Sequence, residues 1–101
     1  MATLGEMLAS PGSDRLLETL QKITRHMNQR RYSSAMEEAY YALHLSPVYL
    51  PAHVRIAEIL VAEDRRTAAV AKYTVTADAY QIRGDTRRAA RLMQEVLKLN
   101  P

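Results

Sequence analysis

Apolar residues recur along this chain at helical spacing, and nowhere do apolar and polar residues alternate over the length of a strand. Leu16, Leu20, Ile23 and Met27 form the first stripe, with Leu17 and Thr24 beside it, and predict a helix from about Arg15 to Asn28. Pro11-Gly12-Ser13 breaks the chain ahead of it, and Ser13 or Asp14 is placed to cap it. Residues 1–13 read as a loosely ordered leader with a short apolar turn at Leu4, Met7 and Leu8, and 14–101 as one helical domain. Gln29-Arg30-Arg31-Tyr32 is a turn. Ser34 and Glu37 then have capping-box spacing and open a second helix to about Leu45, with Ala35, Ala39 and Ala42 on one stripe. Ser46-Pro47 stops it. A third helix runs from about Leu50 to Ala62, with Pro51 tolerated in its first turn and Val54, Ile56, Ala57, Leu60 and Val61 on its buried face. Asp64-Arg65-Arg66 is a break, and Thr67 is placed to cap a fourth helix carrying Ala69, Val70, Tyr73, Ala77 and Tyr80. Gly84-Asp85 ends that helix. A fifth, from about Thr86 to Leu99, carries Ala89, Leu92, Met93, Val96 and Leu97. The predicted fold is all-α with five helices.

Composition narrows the class. At 101 residues the chain suits a single domain with a modest core, and its 48% hydrophobic content argues against disorder. The chain has no Cys, which leaves no thiol chemistry and fits a reducing compartment. No apolar run has the length of a membrane span, and the N-terminus lacks the pattern of a secretory signal, so the expectation is a cytoplasmic protein. Fourteen Lys and Arg against 11 Asp and Glu give a net charge of +3, all of the excess lying in residues 51–101. That is a weak electrostatic footprint for nucleic acid.

One stretch is more specific than composition. Tyr73, Ala77, Tyr80, Gly84-Asp85, Ala89, Met93 and Pro101 supply, in order, an aromatic, a small residue, an aromatic, a turn, an Ala, a bulky residue four later and a closing Pro. This resembles a tetratricopeptide repeat, with Thr76 in place of the usual Leu and Met93 in place of Phe. Ala35, Ala39 and Pro47 fill the second half of an earlier unit, whose first half (Thr19, Ile23, His26) matches poorly. Ala35 and Ala69 are 34 residues apart, the period of the family. A second unit then has His53, Ile56, Ala57 and Leu60 on its first helix, and Ala69 and Tyr73 on its second. The fourth helix therefore serves two overlapping readings, as the end of one unit and the start of the next. The resemblance implies a short right-handed α-solenoid of about five antiparallel helices. It places Ala35, Ala39, Ala57, Ala69, Tyr73, Ala77, Tyr80, Ala89 and Met93 at packing positions.

Members of that family mostly hold other proteins, using a concave groove lined by first helices. By this resemblance the groove residues are Leu17, Leu20, Thr24, Met27 and Asn28, then Val54, Glu58, Val61 and Ala62, then Thr74, Asp78 and Gln81. Leu20, Thr24 and Val54 stand where a carboxylate clamp needs polar side chains, so an apolar or amphipathic peptide or partner helix is the expected ligand. Such stripes also serve as plain packing surface. No polar helix follows Pro101, which leads to the expectation of a domain excised from a larger protein, or of an end helix that packs on a partner or forms a homodimer.

The remaining candidates carry less. Arg30-Arg31 and Arg65-Arg66 follow odd-numbered helices and are expected on one edge, with Arg83, Arg87 and Arg88 on the other, which gives no continuous phosphate track. Tyr40 or Tyr41 is expected to pack. His26, His44 and His53 are far apart, Glu37-Glu38 and Glu63-Asp64 point in different directions on a helix, and no nucleophile motif or Gly-rich phosphate loop is present. The expectation is a non-catalytic scaffold or adaptor module without metal or cofactor, the alternative being a structural, self-associating domain.

Overall fold

The computed structural model describes residues 11–100, with side chains from Asp14 onward. The leader turn at Leu4, Met7 and Leu8 and the closing role of Pro101 lie outside the described residues. Five helices follow one another: α1 (Pro11–Asn28), α2 (Tyr32–Leu45), α3 (Leu50–Ala62), α4 (Arg66–Ile82) and α5 (Thr86–Leu99), with no strand among the described residues. Each helix packs on its neighbours in sequence, and α1 also touches α3. The molecule measures 51 × 33 × 19 Å, its shortest dimension being that of two helix layers.

Three of the four connections are one turn built three times. Arg30, Asp64 and Gly84 adopt left-handed backbone, with φ of 57°, 59° and 82°. In each case the next amide reaches back five residues: Arg31 N–H to His26 O at 2.8 Å, Arg65 to Leu60 at 2.8 Å and Asp85 to Tyr80 at 2.9 Å. The left-handed residue itself donates three back, to Met27, Val61 and Gln81, each at 3.0 Å. These paired bonds satisfy carbonyls that a helix end otherwise leaves open. The residue after the left-handed position then serves as N-cap of the next helix. Its carbonyl accepts from Ala35, Ala69 or Ala89, and those three alanines are buried. The connection from α2 to α3 differs. Ser46 N–H donates to Ala42 O, Tyr49 caps α3, and Pro51 sits in its first turn. This loop is held by Arg83 Nη2 donating to Val48 O at 2.7 Å and by His53 Nε2 at 2.9 Å from Pro47 O.

The repeated turn explains where the predicted caps fail. Ser34 and Thr67 lie inside helices whose N-caps are Arg31 and Arg65, and neither N-cap makes a side-chain capping bond. A turn that leaves a single residue between its left-handed position and the next helix obliges that residue to cap, whatever its side chain. Asp85 is the N-cap that also uses its carboxylate, accepting from Arg88 N–H at 3.2 Å. At the start of the chain, α1 begins at Pro11 rather than Arg15, so Pro11-Gly12-Ser13 opens the helix instead of breaking the chain. A Pro suits a first turn because its missing N–H has no intrahelical partner there.

The interior is two clusters that meet at Leu99. The first joins Ile23, Ala35, Ala39, Ile56, Ile59, Leu60 and Ala69; the second joins Leu50, Ala57, Tyr73, Ala77, Tyr80, Ala89 and Leu92. Alanine supplies the places where two helix backbones come close, and Ile, Leu and Tyr fill the space between them. Thr76, found where a Leu is usual, is buried because its hydroxyl donates to Lys72 O at 2.7 Å in its own helix. Thr19 does the same with Arg15 O. Met93 does not hold a packing place: it is 40% exposed, and Leu92 is buried beside it. On α5 the inward arc is Ala89, Leu92, Val96 and Leu99, and Met93 falls at its edge. Tyr40 and Tyr41 are both exposed rather than packed, since Ala39 and Ala42 take the inward face of α2.

Replacing Arg30 by Gly removes left-handed strain and should stabilise the fold by about 0.5–1 kcal/mol, with a smaller gain for Asp64→Gly because Asp tolerates that region. Gly84→Ala should destabilise by about 1 kcal/mol through backbone strain alone, since an added Cβ meets nothing within 4 Å. Ala77→Leu should overpack the second cluster and destabilise by about 1–3 kcal/mol. Urea midpoints at constant slope read all four changes.

Candidate binding surfaces

The groove residues expected from the sequence divide among several places. Leu17, Leu20, Thr24 and Arg55 line a shallow cavity of about 300 Å³ between α1 and α3. Leu20, Val54 and Glu58 line a second, of about 240 Å³, together with Tyr80 and, from α5, Arg88, Arg91 and Leu92. Leu17 is 57% exposed, so its side chain is available on this side. Met27 packs against the first core cluster instead. Asn28, Val61 and Ala62 are exposed at the C-terminal ends of α1 and α3, outside both cavities.

The share expected from α4 is not gathered there. Thr74 donates its hydroxyl to Val70 O at 2.8 Å, and Asp78 and Gln81 are exposed; none of the three lines either cavity. On α4 the buried arc is Ala69, Tyr73, Thr76, Ala77 and Tyr80, and positions 74, 78 and 81 are turned roughly 100–150° away from it. The charged wall of the second cavity comes from Arg55 and Glu58 of α3 and Arg88 and Arg91 of α5.

A larger cavity, of about 790 Å³, opens between α2 and α4 over α3. Ile56 and Leu60 line it from α3, Met36 and Tyr40 from α2, and Lys72 and Val75 from α4. Tyr40 and Val75 are 60% and 65% exposed. Sequence reasoning missed this surface. Its only signal was the presence of apolar residues off the Ala35–Ala39–Ala42 stripe, and helical periodicity treats these as incidental.

The smaller cavity on the α1–α3–α5 side carries an excess of cationic side chains. Arg55 pairs with Glu58 at 3.0 Å and Arg88 with Asp85 at 2.6 Å, while Arg91 is exposed and has no ion pair among the described residues. The Arg88 side chain and amide both bond the Asp85 carboxylate, which holds that carboxyl below its ordinary range. Burial pushes the Tyr73 phenol up to about 12, helped by the negative fields of Glu58 and Glu95. In the larger cavity, burial lowers the Lys72 ammonium.

The arginine pairs have a backbone role. Arg30 takes the left-handed position, Arg31 and Arg65 are N-caps, Arg66 opens α4, and all four are exposed. Among the described residues no three His, Cys, Asp or Glu converge as a metal-ligand group, and no helix is long and apolar enough to cross a membrane. No protein-family model, curated protein or solved structure matches this chain.

The Tyr73 shift has a pH signature. Its folded-state pKa, about 12, lies above the ordinary 10.0, so between those values the folded state holds a proton that the unfolded state releases. Its contribution is present below pH 10 and lost as pH rises towards 12, a fall of roughly 2 kcal/mol at the upper end. Unfolding midpoints at pH 9 and at stepwise higher pH should show this fall in the wild type and a shallower one in Tyr73→Phe.

Proposed function

We propose that this chain is a tetratricopeptide-like module, a short right-handed α-solenoid, that binds an apolar or amphipathic segment of another protein without catalysis. The observation that carries the reading is a repetition in backbone form. The left-handed residues Arg30 and Asp64, and the buried alanines Ala35 and Ala69, recur at the same 34-residue interval, each pair inside the same hydrogen-bonded turn. Gly84 and Ala89 repeat the turn after only 20 residues. That shorter interval is why α4 serves two overlapping units. For the binding surface, the reading takes the α1–α3–α5 side, where exposed Leu17 adjoins Leu20 and Val54 and polar side chains rim the apolar floor.

Self-association is the second reading, favoured by a separate observation. Leu97 is 64% exposed on α5, and Met93 and Ala90 extend the same strip beside the buried arc. A helix whose apolar residues extend beyond its packed face can accept another helix. Light scattering over a concentration series separates the two readings. The interaction module is a monomer that peptides titrate to saturation, and Leu17→Ser should weaken that binding at least about fivefold with an unchanged melting temperature. A concentration-dependent dimer that ignores peptides and is lost in Leu97→Ser would instead establish self-association.

A further inference from the structure

We infer that the segment bound on the α1–α3–α5 side is acidic, presenting an apolar residue next to a carboxylate. This deepens the proposed interaction function and rests on it. The cavity of about 240 Å³ is apolar at Leu20, Val54 and Leu92, while three of its lining residues are Arg55, Arg88 and Arg91 and one is Glu58. The balance is cationic. Arg55 is engaged with Glu58 and Arg88 with Asp85, which leaves Arg91, from the same helix as Leu92, with its guanidinium unpaired among the described residues.

An apolar side chain in the cavity displaces water from the arginine rim, and a carboxylate beside it then meets a planar fork of donors in a poorly hydrated setting. A basic segment meets repulsion from the unpaired Arg91 guanidinium, with Arg55 and Arg88 offset by Glu58 and Asp85. The larger cavity between α2 and α4 makes no such choice, since Arg65 and Lys72 there are matched by Glu37 and Glu63. Charge complementarity therefore assigns the smaller cavity an occupant and leaves the larger one neutral.

Selection of random short peptides displayed on phage against the full chain tests this. Enriched peptides should carry Asp or Glu within one helical turn of Leu, Ile or Phe, and their binding by fluorescence anisotropy should weaken from low to physiological salt. Arg91→Glu should weaken them by about tenfold or more, while Arg66→Glu, a matched charge change at the start of α4, should alter binding less than about twofold. Arg91 is exposed, so both variants should melt with the wild type. Enriched peptides that lack acids, lose affinity in Leu17→Ser and ignore Arg91→Glu would overturn the acidic assignment and leave the interaction module standing. If no peptide is enriched, both fall. A homodimer abolished by Arg91→Glu would put a second copy in the cavity and likewise overturn the assignment.

Discussion

The left-handed turn after α1, α3 and α4 is the constraint on which the rest depends. It spends one residue in a conformation that L side chains resist and returns two backbone hydrogen bonds at a helix end. Because the same residue pair closes one helix and starts the next, the two helices leave the turn at a set angle with little slack. Ala35, Ala69 and Ala89 then lie where the second helix meets the first, and each is buried without a side chain large enough to force the backbones apart. The two core clusters are the consequence. Larger residues such as Ile23, Ile59, Tyr73 and Leu92 fill the space that the close approach encloses.

The α2–α3 connection is the exception. Without a left-handed residue, that loop is held by side chains from elsewhere, through Arg83 on Val48 O and His53 on Pro47 O. Helices α2 and α4 stand either side of α3 without packing closely on each other, and the large neutral cavity opens between them. On the other side, α1, α3 and α5 approach through longer side chains, and the smaller arginine-rimmed cavity forms there. The two surfaces differ in size and in charge. In the proposed reading, charge is what distinguishes the surface that selects a partner.

Helix type and order were legible because apolar spacing is a property of each segment by itself. The bounds read for α3 and α5, Leu50–Ala62 and Thr86–Leu99, coincide with those observed. Caps were not legible in the same way. Ser34 and Thr67 have favourable side chains, but the preceding turn decides where a helix starts, and it selects Arg31 and Arg65. Met93 and Leu92 illustrate a related limit. Both fit an apolar stripe, and only the approach direction of α4 determines which is buried. Of the groove residues, Leu17, Leu20, Thr24, Val54 and Glu58 lie along two adjoining cavities, whereas Thr74, Asp78 and Gln81 do not join them. A fourth helix read in two roles could not say which neighbour its polar face would meet.

The side of the slab that receives a partner is the feature to measure. Amide chemical-shift mapping of the labelled chain, titrated with a selected peptide, reads this residue by residue. The account predicts the largest changes at Leu17, Leu20 and Thr24 of α1, Val54 and Glu58 of α3, and Arg91 and Leu92 of α5. Changes centred instead on Met36, Tyr40, Lys72 and Val75 would place the partner between α2 and α4 and contradict it.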